Sequence, residues 1–289
     1  MNNYNPLITA VYFAAVITVV MFTMDPVIMT LSLIFSIIVY GILDKMRGFR
    51  QHLPLLILGI ILALLNPLTH HNGVTILFVM NDNPITLEAL IYGIMTSFKI
   101  ISVLYWFRSF SLLMTEDKLL YVLGRFSPKI SLVLSMAIRY IPLFKERMKR
   151  TNEAQKAIGL YKEDNLIDTI RGGIRVFSIM VTWALENGII TADSMAARGY
   201  GTGRRTSFSL YRFKKKDILC LIILMLLFIP MSVILLSGRL KTVYYPELIF
   251  SYGNVISLIM YLLFFVFAAV PLILKLEEQL SWRFYLSKI

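Results

Sequence analysis

Six apolar runs constrain this chain more than any other feature: Leu7–Met24, Val27–Leu43, Leu53–Leu65, Ile85–Met114, Ile218–Ser237 and Tyr252–Leu274. A helix of about 20 apolar residues crosses the hydrocarbon core of a bilayer. Five of the runs approach or exceed that length, and Leu53–Leu65 is a little short. With 57% apolar residues over 289 positions and a mean hydropathy of +0.72, the chain is an integral membrane protein rather than a soluble domain. The first run reads as a retained span, because Met1 to Pro6 carries no basic residue and no small-residue cleavage site follows.

The net charge of +12, from 29 Lys and Arg against 17 Asp and Glu, invites a nucleic-acid reading. Its distribution argues against one. Residues 115–216 hold 19 basic and 9 acidic side chains, so +10 of the +12 lies in one insertion between apolar runs. Basic residues beside membrane spans mark the cytoplasmic side. Lys45, Arg47 and Arg50 after the second run put the Asp25-Pro26 turn outside, and both termini are expected in the cytoplasm. The expected architecture is all-α: about six spans, with a module of long amphipathic helices between the fourth and fifth. The expected division is 1–114, 115–216 and 217–289.

Other residue patterns exclude chemistry. The single cysteine, Cys220, rules out an intramolecular disulfide and a thiolate cluster. His70 and His71 are adjacent, so they do not share a helix face, and no further Cys or His lies nearby; no metal site is expected. No Gly-Lys dipeptide occurs, so there is no Walker A phosphate loop. Glu277-Glu278 with Arg283 lies beyond the last span at the wrong spacing for an intramembrane peptidase. No catalytic residue and no cofactor are expected. Lys99, near the middle of an apolar run, is expected either to face the bundle or a partner, or to snorkel along its own stem toward the interface.

In the insertion, charge joins helical periodicity. Lys129–Ile158 repeats apolar residues at Ile130, Leu134, Ala137, Ile141, Phe144 and Met148, and Pro142 is expected to kink or break it. After a polar linker at Tyr161–Asn165, a second helix carries Arg171, Arg175, Ser178, Thr182 and Glu186 on one stripe. Ile174, Phe177 and Val181 lie on the other side, suited to packing against a membrane partner, the neighbouring helix or lipid. That helix is expected to end at Arg198, with Gly199 as a left-handed cap and Gly201 and Gly203 preventing its resumption. The arginine then crowns a helix C-terminus, either as a plain surface residue or as a fork for a carboxylate or carbonyls on a soluble partner.

Three segments carry a resemblance: Asn5-Pro6-Leu7, Arg139-Tyr140-Ile141-Pro142, and above all Ala196-Ala197-Arg198-Gly199-Tyr200-Gly201 with Gly203-Arg204-Arg205-Thr206. The sequence resembles the transmembrane T components of energy-coupling factor transporters, which include CbiQ-type subunits. The resemblance implies a non-catalytic coupling subunit of an importer of vitamins or transition-metal ions. Its partners would be two ATP-binding-cassette ATPases and a small membrane S component that captures substrate. It also implies two coupling helices, each ending in an Ala-Arg-Gly-like motif that docks on one ATPase. Ala197, Arg198 and Gly199 match that motif. Ala157, Ile158 and Gly159 stand at the other and depart from it, with Ile158 in place of arginine, which suits either an apolar contact or a drifted motif. Glu153-Ala154 and Gly159 resemble the cytoplasmic loop of conventional ABC permeases, without its downstream Ile-x-Leu-Pro. A lipid-holding scaffold and a membrane enzyme are the readings outside transport.

Overall fold

The computed structural model describes residues 4–44, 51–70, 73–80, 83–159, 166–203, 211, 213–238, 240, 242–249 and 254–286. Lys45, Arg47, Arg50, His71, the Tyr161–Asn165 linker and Arg204-Arg205-Thr206, all singled out from the sequence, lie outside the described residues. Among the described residues the helices are α1 (Pro6–Phe22), α2 (Pro26–Leu43), α3 (Leu53–Thr69), α4 (Leu87–Leu113), α5 (Glu116–Phe126), α6 (Pro128–Ala157), α7 (Leu166–Ala197), α8 (Lys215–Leu236) and α9 (Val255–Leu286). One antiparallel hairpin, β1 (Ile76–Met80) and β2 (Asn83–Thr86), stands between α3 and α4. The protein is an all-α membrane protein. By length and composition α2, α4, α7, α8 and α9 can cross a bilayer, and α1 and α3 are apolar but only 17 residues long. α7 is the least apolar of the five, at a mean hydropathy of 1.2 against 3.1 for α8, in keeping with the amphipathic pattern read from its sequence.

The chain forms two compact units, Met1–Leu119 with Tyr211–Ile289, and Leu120–Leu210. In the first, α1 and α2 start by the same rule. Asn5 Oδ1 accepts from Leu7 N at 3.0 Å, Asp25 Oδ1 accepts from Val27 N at 2.9 Å, and a proline fills the first helical position, where no N–H is needed. The core between α1, α4 and α9 is aromatic: Tyr12, Phe13, Trp106 and Phe267 are wholly or almost wholly buried and meet largely edge to face. The indole of Trp106 donates to Ser32 Oγ of α2 at 3.1 Å, so its one polar group is satisfied. The spare oxygen of Asp25 accepts from Tyr261 of α9 at 2.9 Å. Asp217, buried at the start of α8, accepts from the amides of Asn5 and Lys214 and ties the beginnings of α1 and α8 together.

Two prolines lie inside helices rather than at their ends. α3 continues through Asn66-Pro67 to Thr69 instead of ending there. Proline at 67 deprives the carbonyl four residues back, that of Ala63, of its helical donor. Gly93 of α4 sits against that same carbonyl, so closely that a Cβ would lie 2.6 Å from it. The neighbouring helix therefore shields the gap, and Ser97 further along α4 donates to Gly59 O at 2.8 Å. α6 likewise runs unbroken through Pro142.

In the second unit, Ser131 Oγ donates to Leu120 O at 2.9 Å and fixes the turn from α5 into α6. α6 and α7 meet through the Tyr140 and Thr191 hydroxyls, 2.7 Å apart, and through Phe144 edge-on to Trp183 at 5.2 Å.

A Cβ at 93 has no room, so Gly93→Val is expected to destabilise the α3–α4 pair by roughly 1–3 kcal/mol. Thermal unfolding of the purified protein in detergent measures this; an unchanged midpoint would mean that α3 and α4 do not meet at this glycine.

Candidate functional site

A helix leaves its last carbonyls without intrahelical donors. α7 solves this with a Schellman motif. Tyr200 N donates to Met195 O at 3.0 Å and Gly199 N to Ala196 O at 2.9 Å, with Gly199 at φ +77°. Arg198 is the capping residue between helix and glycine, and its side chain is exposed. Thr202 N and Oγ1 then donate to Gly199 O, and Gly201 at φ +91° turns the chain again.

The end of α6 shares the glycine and the shorter of the two Schellman bonds. Gly159 has φ +72° and its N donates to Lys156 O at 3.0 Å, as Gly199 N does to Ala196 O. Ile158 N donates to Ala154 O at 3.2 Å, and Arg198 N to Ser194 O at 3.2 Å. Ile158 thus occupies the backbone position that Arg198 occupies in α7, with Ala157 and Ala197 each the last helical residue. It is 73% exposed. Sequence comparison of the two motifs showed a lost arginine; the shared cap geometry, which no residue pattern displays, shows that the position itself is kept.

Behind the caps, α7 has two apolar faces. Gly172, Val176 and Met180 are buried, and the same face continues to Trp183 and Thr191, which touch α6. The second face holds Ile170, Ile174, Phe177, Val181 and Leu185 at helical spacing and is bare: Ile174 is 63% exposed, Phe177 69% and Val181 41%. Among the described residues, those three side chains stay exposed. Tyr140, within the Arg139–Pro142 segment, supplies the α6–α7 hydrogen bond, and Asn5-Pro6-Leu7 is the α1 cap.

Other singled-out residues stand apart from the helix ends. Lys99 Nζ lies 3.9 Å from Met24 Sδ and has no carboxylate in ion-pair reach among the described residues. His70 Nδ1 is 2.9 Å from its neighbour Thr69 Oγ1. Among the described residues no three His, Cys, Asp or Glu side chains gather in a way that could hold a metal ion. Below the expected bilayer run, burial pushes the Lys118 ammonium down as it donates to Leu113 O at the end of α4.

The family model of CbiQ, described as a cobalt transport protein, matches residues 2–209. The chain belongs to the CbiQ family. That match takes in both helix ends and stops before α8. Among curated relatives, the energy-coupling factor transporter transmembrane protein EcfT of Streptococcus equi subsp. equi is 28% identical over 54% of this chain and 62% of its own length. EcfT 1 of Listeria monocytogenes is 24% identical over 63% of this chain and 73% of its own. EcfT of Streptococcus thermophilus is 30% identical over 34% of this chain and 38% of its own. The chain thus spans just under two thirds of the first of these relatives.

Glycine at 199 holds a conformation that costs an L-residue roughly 1–2 kcal/mol. Gly199→Ala is therefore expected to speed amide exchange at residues 199 and 200 by about tenfold or more, through local opening of the cap. Hydrogen exchange read by mass spectrometry on peptides covering 195–203 checks this; unchanged exchange would contradict the cap geometry.

Proposed function

We propose that the chain is the non-catalytic coupling subunit of an ATP-driven importer, with the exposed ends of α6 and α7 as its grips on two ABC ATPases. The observation that carries this reading is the shared cap. Two long helices of one basic module present different side chains, Ile158 and Arg198, from the same backbone position, both exposed and both braced by a glycine. A cap made only to stop a helix does not require a large side chain held outward at that position.

On this reading both termini and the α6–α7 module lie in the cytoplasm of a multi-pass plasma-membrane protein. Arg198 offers its planar fork to a carboxylate or to carbonyl groups in a groove of one ATPase, at the negative end of the α7 dipole. Ile158 enters an apolar groove on the other, which fits a pair of non-identical ATPases. Closure of the ATPases on ATP moves the two helix ends. The movement passes through the Tyr140–Thr191 and Phe144–Trp183 contacts, since these join the helices. The bare stripe of Ile174, Phe177 and Val181 is where a small S component would bury its own apolar surface. That component, rather than this chain, would select the vitamin or transition-metal ion.

Arg198→Glu is expected to abolish substrate uptake and to lower ATPase co-purification, with membrane insertion unchanged, because reversal adds repulsion to a lost charge-assisted contact. Normal ATPase recovery would refute the grip. Ile158→Glu should weaken retention of the other ATPase by the loss of an apolar anchor, about tenfold or more in affinity if the side chain is fully buried there. An unaltered complex would mean that Ile158 is a drifted residue. Phe177→Asp, on an open face, should release the S component while both ATPases stay bound; loss of all three partners together would indicate a structural role instead.

A further inference from the structure

A β-strand with apolar side chains on both faces needs apolar cover on both, since successive residues point to opposite sides. β1 is such a strand. Phe78 is 54% exposed and Val79 61%, and Val74, Ile76 and Leu77 are also exposed. None of them is charged. β2, by contrast, buries Ile85 and Thr86 and is the strand that meets α3 and α4. The base of the hairpin is held firmly. Leu87 N donates to Thr75 O at 3.0 Å, and Glu88 Oε1 accepts from Thr75 N at 3.2 Å and from Thr75 Oγ1 at 2.5 Å. Gly73 comes so near that a Cβ there would be 2.5 Å from Glu88 Oε2. β1 is therefore presented by a braced support.

We propose that β1 is embedded in the bilayer interface at the end where α3 stops, with lipid acyl chains as its cover. Three observations favour lipid. α3 has 17 residues and so is about 25 Å long, short of the roughly 30 Å hydrocarbon core, and the hairpin continues its apolar run. Leu64, Leu65 and Leu68 near the end of α3 are exposed, so the apolar surface of a bilayer-length segment passes directly into that of the hairpin. Both faces of β1 are bare; acyl chains surround a strand, whereas one docked protein surface covers a single face. Among the described residues the strand pairs only with β2. Unpaired backbone groups are costly in hydrocarbon, which keeps the hairpin at the interface, where headgroups and water pair with them.

The test uses the full chain carrying Cys220→Ser, with Phe78→Cys or Val79→Cys labelled by an environment-sensitive fluorophore. It is reconstituted in phosphatidylcholine–phosphatidylglycerol vesicles, alone and within the assembled transporter. Both labels are expected to be quenched by brominated acyl chains in the lone chain. Both should lose most of the iodide quenching seen for the same label at Glu247→Cys, an exposed position outside the helices. Iodide access at either position in the lone chain overturns the proposal, and protection gained only on assembly identifies a protein as the cover. Hydroxyl-radical footprinting of the unsubstituted chain in lipid nanodiscs guards against a hairpin damaged by labelling. Phe78 is expected to be protected relative to Tyr200, and equal oxidation of the two counts against lipid.

Discussion

A long helix becomes a usable pointer only if its end is defined, because fraying spreads a terminal side chain over many positions. At the C-termini of α6 and α7 a left-handed glycine, Gly159 or Gly199, turns the chain back and donates to a carbonyl of the last turn, which fixes Ile158 and Arg198 at the helix ends. The 14 residues from Phe144 to Ile158 extend about 21 Å, and the 7 from Thr191 to Arg198 about 10 Å, at 1.5 Å per residue. Small changes in how the helices cross at Tyr140, Phe144, Trp183 and Thr191 are therefore magnified at the two ends. The same lever accounts for an aromatic and hydroxyl contact rather than a long sealed seam: the pair is joined firmly at one place and leaves a whole face of α7 free.

The membrane unit obeys a different constraint. Several of its buried polar groups are paired internally, among them the Trp106 indole on Ser32 and both oxygens of Asp25. Caps from Asn5 and Asp25, each followed by proline, start helices without loose amides. Asp217 extends this economy to the point where the chain re-enters α8, joining that start to the first residues of α1.

Much of this was legible in the residues because the signals are local. Apolar runs mark the helices of the membrane unit, Asp25-Pro26 marks the turn between the first two, and Arg198-Gly199 marks a stop. What stayed hidden depends on neighbours. The Leu53–Leu65 run gives no sign that its helix continues through Pro67, where Gly93 of α4 lies against the carbonyl the proline strips, and of the kink or break expected at Pro142 no break occurs. The short apolar piece Val74 to Met80 suits an outer loop or a hairpin alike, and the pairing and bare faces show it as an exposed strand of a hairpin. Ile158 reads as a missing arginine, whereas its backbone position is the one Arg198 holds. The residues that carry the family resemblance acquired physical roles as well: a cap at Asn5, a crossing contact at Tyr140 and a helix stop at Gly199.

The central claim is that the two helix ends face soluble ATPases. Photo-crosslinking from a benzophenone side chain placed at residue 158, and separately at the exposed Tyr200 beside Arg198, tests it in native membranes. The account predicts a crosslink to an ATPase subunit from each position, with different subunits labelled if the two ATPases are not identical. Crosslinks confined to lipid, or none from either position while uptake remains intact, would contradict it.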